Sequence, residues 1–536
     1  MKLTKDGIKN ASEWEAKGYS MPKFDREKVE AATRANPFWI HFGAGNIFRA
    51  FQANVVQELL NKGVLDRGLL VAEGYDYEII EKMYRPHDNI GALVTLKSSG
   101  SVEKTVVASI MESLTADSSN ESDWKRLLEV FRNPSLQMVT FTITEKGYLL
   151  KNAAGVFMPG VEEDFATGPA SPKSYMGKVV ALLHERFANG ELPVAMVSMD
   201  NCSHNGDKLY AAVNEFASVW EKKGVCKKGF LAYVNDKTKV TFPWTMIDKI
   251  TPRPDSKIEK ILSDDGIEGL EPVITSKKTY VAPFVNAEEC QYLVIEDAFP
   301  NGRPELEKAG LYFTNRETVD KVEKMKVCTC LNPLHTFLAV SGCLLGYTLI
   351  ADEMKDADLL RLVKHLGYDE GLPVVVDPGI IKPRDFIDEV VKVRIPNPFM
   401  PDTPQRIACD TSQKLSIRFG ETVKGYLGRS DLKVSDLKVL PLVFALWLRY
   451  LMGLDDNGNV FELSPDPLLD DVKKYVVDVK LGGDPSSACK AVEPLLHRAE
   501  IFGVDLFETG LAQKVNEYFA MLIASKGAVR SAIKNL

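Results

Sequence analysis

Three side chains suited to carbonyl chemistry lie in one short segment of the chain, residues 323–335. They are Lys326, Asn332 and His335. Hydride transfer to a ketone places negative charge on its oxygen, so the reaction needs hydrogen-bond donors and a proton source. A lysine can give the proton, an asparagine amide can donate to the oxygen, and a histidine can hold substrate hydroxyls. This segment therefore indicates the catalytic centre of an oxidoreductase.

Local sequence predicts how these side chains are positioned. Pro333 suits the first turn of a helix and Asn332 suits the N-cap before it. We therefore expect a helix to begin there and Lys326 to belong to the preceding helix, where Glu323 lies one turn away. The alternative is that Asn332 only caps, Lys326 is a surface lysine and His335 is a hydrogen-bonded core residue.

A zinc site is a further alternative for this segment. Cys328, Cys330 and His335 are close in sequence. Structural zinc sites, however, usually space their cysteines as CxxC and use four ligands. We therefore predict no metal.

A second motif follows the first predicted strand, residues 37–45. The motif HFGAGNIFR places two glycines between that strand and a predicted helix, where a dinucleotide fold needs a tight turn and close approach of the pyrophosphate. The usual third glycine is replaced by Phe48, and turn glycines remain the alternative. The predicted cofactor contacts here are Gly43, Gly45, Asn46, Ile47, Phe48 and Arg49.

The next predicted strand, residues 69–76, offers a carboxylate for the cofactor ribose. Glu73 and Asp76 both lie near its end. A carboxylate there accepts hydrogen bonds from ribose hydroxyls and disfavours a 2′-phosphate, so the cofactor predicted is NAD. Either residue could instead be a solvated turn residue.

The elements that would carry these motifs change character along the chain. Buried strands at 37–45, 69–76, 135–144 and 192–201 alternate with helices, which indicates a parallel sheet covered on both faces. From about Thr318 the pattern is almost wholly helical. We predict an α/β Rossmann-like domain over residues 1–315 and a mostly α-helical domain over 316–536, with the site between them.

Composition excludes several classes of protein. The 536 residues carry a net charge of −8, with 45% hydrophobic and 26% charged residues, as in soluble globular proteins and unlike nucleic-acid binders. No uncharged apolar run reaches the roughly 20 residues that span a bilayer. The polar N-terminus and eight scattered cysteines are typical of a cytoplasmic protein. No oligomeric partner is evident.

Taken together, these segments resemble the polyol-specific long-chain dehydrogenase/reductase family, which includes mannitol dehydrogenases and uronate reductases. The resemblance runs from about residue 38 to 398. Its blocks, in order, are HFGAGNIFRAFQ, FTITEKGY, SMDNCSHNG, FPWTMIDKITP, QYLVIEDAFPNGRP, LNPLHTFLAVSGCLLGY and VRIPNP.

The resemblance implies roles for individual residues. Lys326 matches the general acid/base, Asn332 and Asn201 match the oxyanion contacts, and His335 matches the substrate-orienting histidine. Further substrate contacts are implied at Asp248 and Arg394, and Asn397 of the VRIPNP block is predicted to be another. Blocks near the nicotinamide contain Thr144, Glu145 and Asp200.

Two departures from the family pattern bear on the site. Lys326 and Asn332 are six residues apart, one more than expected, which in a continuous helix would rotate the lysine by about 100°. A helix break at Asn332 would absorb the extra residue, so Lys326 stays the predicted acid/base. Trp244 and Thr245 stand where small polar residues are expected after Phe-Pro, and this puts local substrate contacts in doubt.

The resemblance implies reversible NAD-dependent oxidation of a secondary alcohol on a linear polyol or sugar acid. The block CLNPLHT is nearer to the mannonate oxidoreductase branch, which favours D-mannonate and D-fructuronate. A carboxylate substrate needs an extra cation, for which Lys414 and Arg418 are predicted candidates; the alternative is that both are surface residues. Mannitol 2-dehydrogenase and tagaturonate reductase are the alternatives within the family.

Two rivals lie outside the family. A short-chain dehydrogenase would need a Tyr-x-x-x-Lys pair, and none is suitably placed. A sugar- or nucleotide-binding regulator would have no need of a proton donor, so the presence of Lys326 with both asparagines favours an enzyme.

Overall fold

Two units make up the chain in a computed structural model that describes residues 1–536. The first consists of Met1–Lys97 and Ser101–Asp320, and the second of Ser98–Gly100 and Lys321–Leu536. The boundary predicted from the sequence lies near residue 315.

A six-stranded sheet is the centre of the first unit. Every strand pair in it is parallel. The fifteen strands of the chain are β1 Tyr19–Ser20, β2 Trp39–Phe42, β3 Leu69–Glu73, β4 Gly91–Leu96, β5 Val102–Val107, β6 Ile110–Thr115, β7 Met138–Phe141, β8 Val194–Ser198, β9 Val240–Thr241, β10 Thr245–Asp248, β11 Val273–Ile274, β12 Tyr280–Val281, β13 Phe284–Glu288, β14 Tyr292–Glu296 and β15 Tyr312–Thr314.

The strand order β6-β3-β2-β7-β8-β9 defines this sheet as doubly wound. The order reverses between β2 and β7, and ligands of such sheets bind outside the carboxyl ends of the strands at that point. The four strands predicted from the sequence are confirmed, each shorter than predicted. The Rossmann-like fold is confirmed as well.

Burial on both faces explains why these strands read as continuous apolar runs. In β2, Ile40 and Phe42 pack in one hydrophobic cluster, whereas Trp39 packs in the cluster on the opposite face. Helices cover both faces. Those of the first unit are α1 Ala11–Glu15, α2 Arg26–Ala35, α3 Ala53–Asn61, α4 Glu121–Arg132, α5 Thr144–Gly147, α6 Pro159–Thr167, α7 Tyr175–Ala188, α8 Asn205–Lys223, α9 Phe230–Asn235 and α10 Ser256–Asp264.

Three smaller sheets accompany the main one, and the sequence did not predict them. They have the orders β1-β5-β4-β13, β10-β14-β15 and β11-β12. Their strands are short or partly polar, so their apolar pattern is weak.

The second unit is helical, as predicted. Its helices, counted from α11 across the boundary, are α11 Arg316–Met325, α12 Asn332–Leu345, α13 Ile350–Glu353, α14 Ala357–Lys364, α15 Pro383–Glu389, α16 Pro404–Ile407, α17 Glu421–Leu427, α18 Val439–Leu451, α19 Leu469–Lys473, α20 Pro485–Leu496, α21 Ala499–Phe502, α22 Leu511–Ile523 and α23 Ala528–Asn535.

Short segments of other helix types extend or join these helices. The π-helical segments are Phe48–Gln52, Ile80–Tyr84, Lys326–Cys330, His365–Gly371, Val390–Arg394 and Ser416–Gly420. The 3-10 segments are Arg85–His87, Gly168–Ala170, Leu306–Ala309, Leu372–Val374, Thr411–Gln413 and Val434–Asp436.

Helix α18 forms the core of the second unit, and all its residues are buried. Its first amide groups are capped from another element. The buried Glu370 carboxylate accepts hydrogen bonds from the backbone N–H groups of Lys438, Val439 and Leu440 at 2.6, 2.7 and 2.8 Å. A buried helix start needs such partners, because its N–H groups have none within the helix.

One helical stretch, residues 316–345, is long and apolar enough to cross a membrane by length and composition. In its most apolar window, however, 78% is buried inside the protein. That burial is typical of a core helix.

Candidate functional site

The nucleotide loop follows β2, and the surroundings of its two glycines differ. Gly43 has φ +108°, and a Cβ there would lie 2.2 Å from the Thr142 carbonyl oxygen, so the protein itself requires glycine. A Cβ on Gly45 would meet nothing within 4 Å. The second glycine therefore borders open space, as expected where a ligand approaches the backbone.

Glu73, at the end of β3, holds this loop in place. One carboxylate oxygen accepts from the Ala44 N–H at 2.9 Å, and the other accepts from the N–H groups of Tyr75 and Asp76. Burial raises the pKa of Glu73, and these three hydrogen bonds oppose the rise. Its carboxylate is thus engaged with backbone.

Asp76 has a carboxylate oxygen available to accept a hydrogen bond, whereas both oxygens of Glu73 are used by backbone N–H groups. Its side chain is buried, and Oδ2 accepts from the Thr275 hydroxyl at 2.6 Å. Oδ1 is buried without a hydrogen-bond partner. A buried acceptor without a donor is costly, and a ribose hydroxyl would satisfy it.

The helix after the loop begins at Asn46 and continues through Ile47 into the π-helical segment with Phe48. Arg49 donates to Asn46 Oδ1 at 2.9 Å and to the Ala282 carbonyl at 2.6 Å. The Phe48 ring is buried. The side chains of Asn46 and Arg49 thus fix the start of the helix.

The residues after β7 are braced by Asp200. Its carboxylate accepts from the N–H groups of Ile143 and Thr144 at 3.0 and 2.8 Å, and from the Tyr148 hydroxyl at 2.5 Å. Burial raises the pKa of Asp200, and the Tyr148 hydrogen bond opposes the rise. Thr144 has φ +63°, unusual for a β-branched residue, and Glu145 forms an exposed ion pair with Lys208.

The turn that carries Asn201 is held by a residue the sequence did not single out. Asn205 is fully buried and donates to the Asp200 carbonyl at 3.0 Å, while its Oδ1 accepts from the Thr245 N–H at 3.0 Å. Thr245 also donates its hydroxyl to the Ser198 carbonyl at 2.7 Å. The unexpected Thr245 is therefore a structural residue. Asp248 is buried at the end of the same strand.

Lys326 lies in a π-helical segment, which accounts for the extra residue before Asn332. A π turn takes one residue more than an α turn. The lysine is only 4% exposed. Leu331 then breaks the helix with φ −127° and ψ −62°.

Asn332 is not the N-cap that the sequence predicted. Leu331 occupies that position, and α12 has no side-chain cap. Pro333 still lies in the first turn, as expected for proline. The Asn332 amide is therefore not used for capping.

His335 lies in a cationic environment. Its pKa is lowered to about 4 by burial, an effect that Asp402 opposes and that Arg394, Arg418 and Arg406 reinforce. The imidazole is therefore neutral near pH 7.

Of two arginines near His335, Arg394 is buried and Arg418 is half-buried. Arg394 is 5% exposed at the end of a π-helical segment, and Asn397, 1% exposed, accepts from the Phe399 N–H. Arg418 donates to the Thr336 hydroxyl at 2.6 Å, and burial lowers its pKa to about 10. Lys414 instead donates to the backbone carbonyls of Ile407 and Cys409. Because Lys414 bonds backbone carbonyls and Arg418 bonds a side-chain hydroxyl, Arg418 is the better candidate for the extra positive charge.

The nucleotide loop fits a dinucleotide. The open space at Gly45, the helix start at Asn46 and the orphaned Asp76 Oδ1 match a pyrophosphate and a ribose hydroxyl. No group of three His, Cys, Asp or Glu side chains in residues 1–536 could hold a metal ion.

Comparison with known proteins covers both units. Residues 38–308 match the family model for the mannitol dehydrogenase Rossmann domain, and residues 318–522 match that for the mannitol dehydrogenase C-terminal domain. A D-mannonate oxidoreductase of Thermotoga maritima is 52% identical over 538 residues, covering 100% of this chain and 99% of the relative.

Two solved structures are similar over nearly the whole chain. A substrate-free D-sorbitol dehydrogenase superposes with a TM-score of 0.79 at 25% identity, covering 96% of this chain and 97% of its own. Pseudomonas fluorescens mannitol 2-dehydrogenase, in a ternary complex with NAD and D-mannitol, superposes with a TM-score of 0.68 at 26% identity, covering 100% and 99%.

Proposed function

Because the chain belongs to the mannitol dehydrogenase family, we propose that it is an NAD-dependent oxidoreductase that interconverts D-mannonate and D-fructuronate. The observation that carries this proposal is the 52% identity, over the whole chain, to a D-mannonate oxidoreductase. A small-molecule sugar acid is the substrate, and the cytoplasm is its proposed location.

The charges around His335 support a substrate with a carboxylate. Arg394 is buried and Arg418 is half-buried, and Arg418 donates to a neutral hydroxyl. A buried guanidinium is most stable beside an anion, and its planar fork matches a carboxylate. Neutral polyols offer no such partner, so the cationic environment favours a sugar acid.

The proposed chemistry assigns one task to each residue. NAD, when bound, supplies or accepts the hydride. Lys326 gives a proton to the alkoxide in reduction and removes it in oxidation. The Asn332 amide, which is not used for capping, donates to the carbonyl oxygen of the substrate. Asn201 donates to the same oxygen, as the resemblance of its motif implies. Neutral His335 orients a substrate hydroxyl.

The cofactor contacts are proposed at the loop from Gly43 to Arg49 and at Asp76. Glu73 and Asp200 hold the backbone of this site through hydrogen bonds. Thr144 and Glu145 are proposed contacts near the nicotinamide. Asp248 and Asn397 are proposed substrate contacts.

A substrate panel tests the proposal. NADH oxidation is followed with fructuronate, tagaturonate and fructose, and NAD reduction with D-mannonate and mannitol. We expect kcat/KM to be highest for fructuronate and mannonate. Higher kcat/KM with tagaturonate would make the protein a tagaturonate reductase, and activity with fructose alone would make it a mannitol 2-dehydrogenase. No activity with any of the five would contradict the proposal.

A further inference from the structure

A chain of hydrogen bonds runs beneath the nucleotide loop and ends at its surface. The Trp39 indole N–H donates to Thr140 Oγ1 at 2.7 Å, Thr140 Oγ1 lies 2.6 Å from His41 Nδ1, and His41 Nε2 lies 2.8 Å from Thr142 Oγ1. The His41 ring also stacks on Phe48 of the loop helix, with centroids 4.3 Å apart. None of the four hydrogen-bonded side chains, Trp39, Thr140, His41 and Thr142, has a role in the proposed chemistry so far.

The direction of this chain follows from the chemistry of its members. An indole N–H can only donate, so Thr140 Oγ1 accepts from Trp39. Thr140 is fully buried, and His41 Nδ1 is the only acceptor within reach of its hydroxyl proton. If Nδ1 carried a proton, the Thr140 proton would be buried without an acceptor, which is energetically costly. Thr140 therefore donates to Nδ1.

The tautomer of His41 is thereby fixed. Burial lowers the pKa of His41 to about 3, so the ring is neutral and carries a single proton. Since Nδ1 accepts, that proton is on Nε2 and is donated to Thr142 Oγ1. Thr142 must accept this bond, and its own hydroxyl proton is left to point elsewhere.

Thr142 lies where a ligand of this fold binds. It directly follows β7 and Gly43 directly follows β2, the two strands between which the sheet order reverses. A Cβ on Gly43 would lie 3.2 Å from Thr142 Oγ1. The Thr142 side chain is half-buried, and its hydroxyl proton has no acceptor within the protein.

We propose that Thr142 is a cofactor-binding residue and that its hydroxyl donates a hydrogen bond to a pyrophosphate oxygen of the dinucleotide. The hydrogen bonds from Trp39 through Thr140 and His41 make this hydroxyl a donor. The pyrophosphate is the acceptor because the Gly43–Gly45 turn and the helix start at Asn46 form the adjacent anion site. This inference rests on the proposed function, which requires that NAD binds here.

Dissociation constants for NADH and ADP-ribose test the inference without any turnover. Thr142→Val keeps the shape of the side chain and removes its hydroxyl, whereas Thr142→Ser keeps the hydroxyl. We expect Thr142→Val to weaken both ligands about 10-fold, as for one hydrogen bond to a charged group. Thr142→Ser should bind both within about 2-fold of wild type.

The outcomes separate this inference from the proposed function. Failure of the wild type to bind NADH would overturn the function. Wild-type binding that Thr142→Val leaves unchanged would overturn only the role of Thr142. Loss of NADH affinity with unchanged ADP-ribose affinity would overturn the pyrophosphate as the acceptor.

A second measurement reports on the series of hydrogen bonds from Trp39 to Thr142. Imidazole ¹⁵N chemical shifts of the histidine-labelled protein distinguish the two neutral tautomers, and His41→Gln assigns the signal. We expect His41 to be protonated at Nε2 from pH 8 to pH 5. A signal for protonated Nδ1 would overturn the proposed direction of the Thr142 hydroxyl.

Discussion

His335 is held neutral by its surroundings, and this makes the stability of the fold depend on pH. Its folded pKa of about 4 is below the unfolded value of 6.5. Between these values the unfolded chain binds a proton that the folded protein does not, so stability falls as pH is lowered. Asp402 opposes this effect, whereas Arg394, Arg418 and Arg406 strengthen it.

Replacing His335 by Asn should therefore flatten the pH profile of stability. The free energy of unfolding of the wild type should fall more between pH 7.5 and pH 5 than that of His335→Asn, by on the order of 1–2 kcal/mol. Urea denaturation at both pH values measures the difference. An exposed histidine, His497, provides the control His497→Asn. An equal fall in wild type and His335→Asn would show that folding does not lower the pKa of His335.

Lys326 is the proposed proton donor, and its substitution should affect turnover but not cofactor binding. Lys326→Ala should lower kcat by at least 100-fold, in line with the contribution of general acid–base catalysis, and leave the Kd for NADH within about 2-fold. Lys364→Ala, at an exposed lysine of α14, is the control. Stopped-flow reduction of fructuronate and fluorescence titration give the two values. Turnover of Lys326→Ala near that of wild type would remove the lysine from the mechanism.

Arg418 should distinguish acidic from neutral substrates. Arg418→Met removes the guanidinium and keeps a side chain of similar length, so KM for D-mannonate should rise about 10–100-fold. KM for mannitol, where activity is measurable, should change little. Arg418→Lys should be intermediate because it keeps the charge but not the fork. Arg429→Met, at an arginine paired with Asp431, is the control. Equal losses for both substrates would indicate a structural role.

At the scale of single residues, the sequence located polar side chains but not their hydrogen-bond partners within the fold. The carboxylates of Glu73 and Asp200 were predicted to contact the cofactor, yet both bind backbone N–H groups of the loops around it. A carboxylate at a strand end looks the same in sequence whether it binds ligand or backbone. Thr142 and Asn205 were not predicted, because nothing near them in sequence marks their partners in distant strands.

At the scale of elements, residues of the candidate site concentrate in π-helical segments. Arg49, Lys326, Arg394 and Arg418 each lie in one. A π turn adds a residue to a helix and redirects the side chains beyond it, which is why such turns are frequent at functional sites. Hydrophobic periodicity detects the helix but not its local widening, so the π turn between Lys326 and Asn332 was not predicted.

The N-terminus of α18 should depend on Glu370. The carboxylate accepts from three buried backbone N–H groups, and a negative charge at a helix start is favourable. Glu370→Gln keeps the shape but loses the charge and one acceptor, and should lower the free energy of unfolding by about 1–3 kcal/mol. Guanidinium denaturation measures the change. Glu421→Gln, at the exposed start of α17, should change it by less than about 0.5 kcal/mol. A change at Glu370 as small as that would show that the cap is dispensable.

At the scale of the whole molecule, strong apolar patterns and weak ones differ in what they predict. The four central strands and the long helices are buried, so the doubly wound sheet and the helical second unit were predicted correctly. The strands β1, β11 and β12 have two residues each, too few to give a period. Their pairing depends on residues far away in the chain, and this information is not local.

The net charge of −8 does not oppose the binding of anionic ligands, because the local charge at each site has the opposite sign. Positive charge around His335 comes from Arg394 and Arg418, because Arg406 is paired with Asp402. At the nucleotide loop it comes from backbone N–H groups at a helix start, which carry a partial positive charge whatever the pH. Cofactor binding should therefore stabilise the molecule across the pH range in which it is folded.

The stabilisation by bound cofactor should be much smaller when Gly45 is replaced. In the free protein a Cβ on Gly45 meets nothing within 4 Å, so Gly45→Ala should unfold at the same temperature as wild type without ligand. NADH at 100 times its wild-type Kd should stabilise the wild type by about 2.7 kcal/mol by mass action. It should stabilise Gly45→Ala far less, because the added methyl group occupies the space the pyrophosphate needs. Gly43→Ala is the contrasting variant: its Cβ would lie 2.2 Å from a carbonyl oxygen, so it should lower the unfolding temperature even without NADH. Thermal unfolding of the three proteins with and without NADH measures all of these shifts, and an equal NADH shift in wild type and Gly45→Ala would place the cofactor elsewhere.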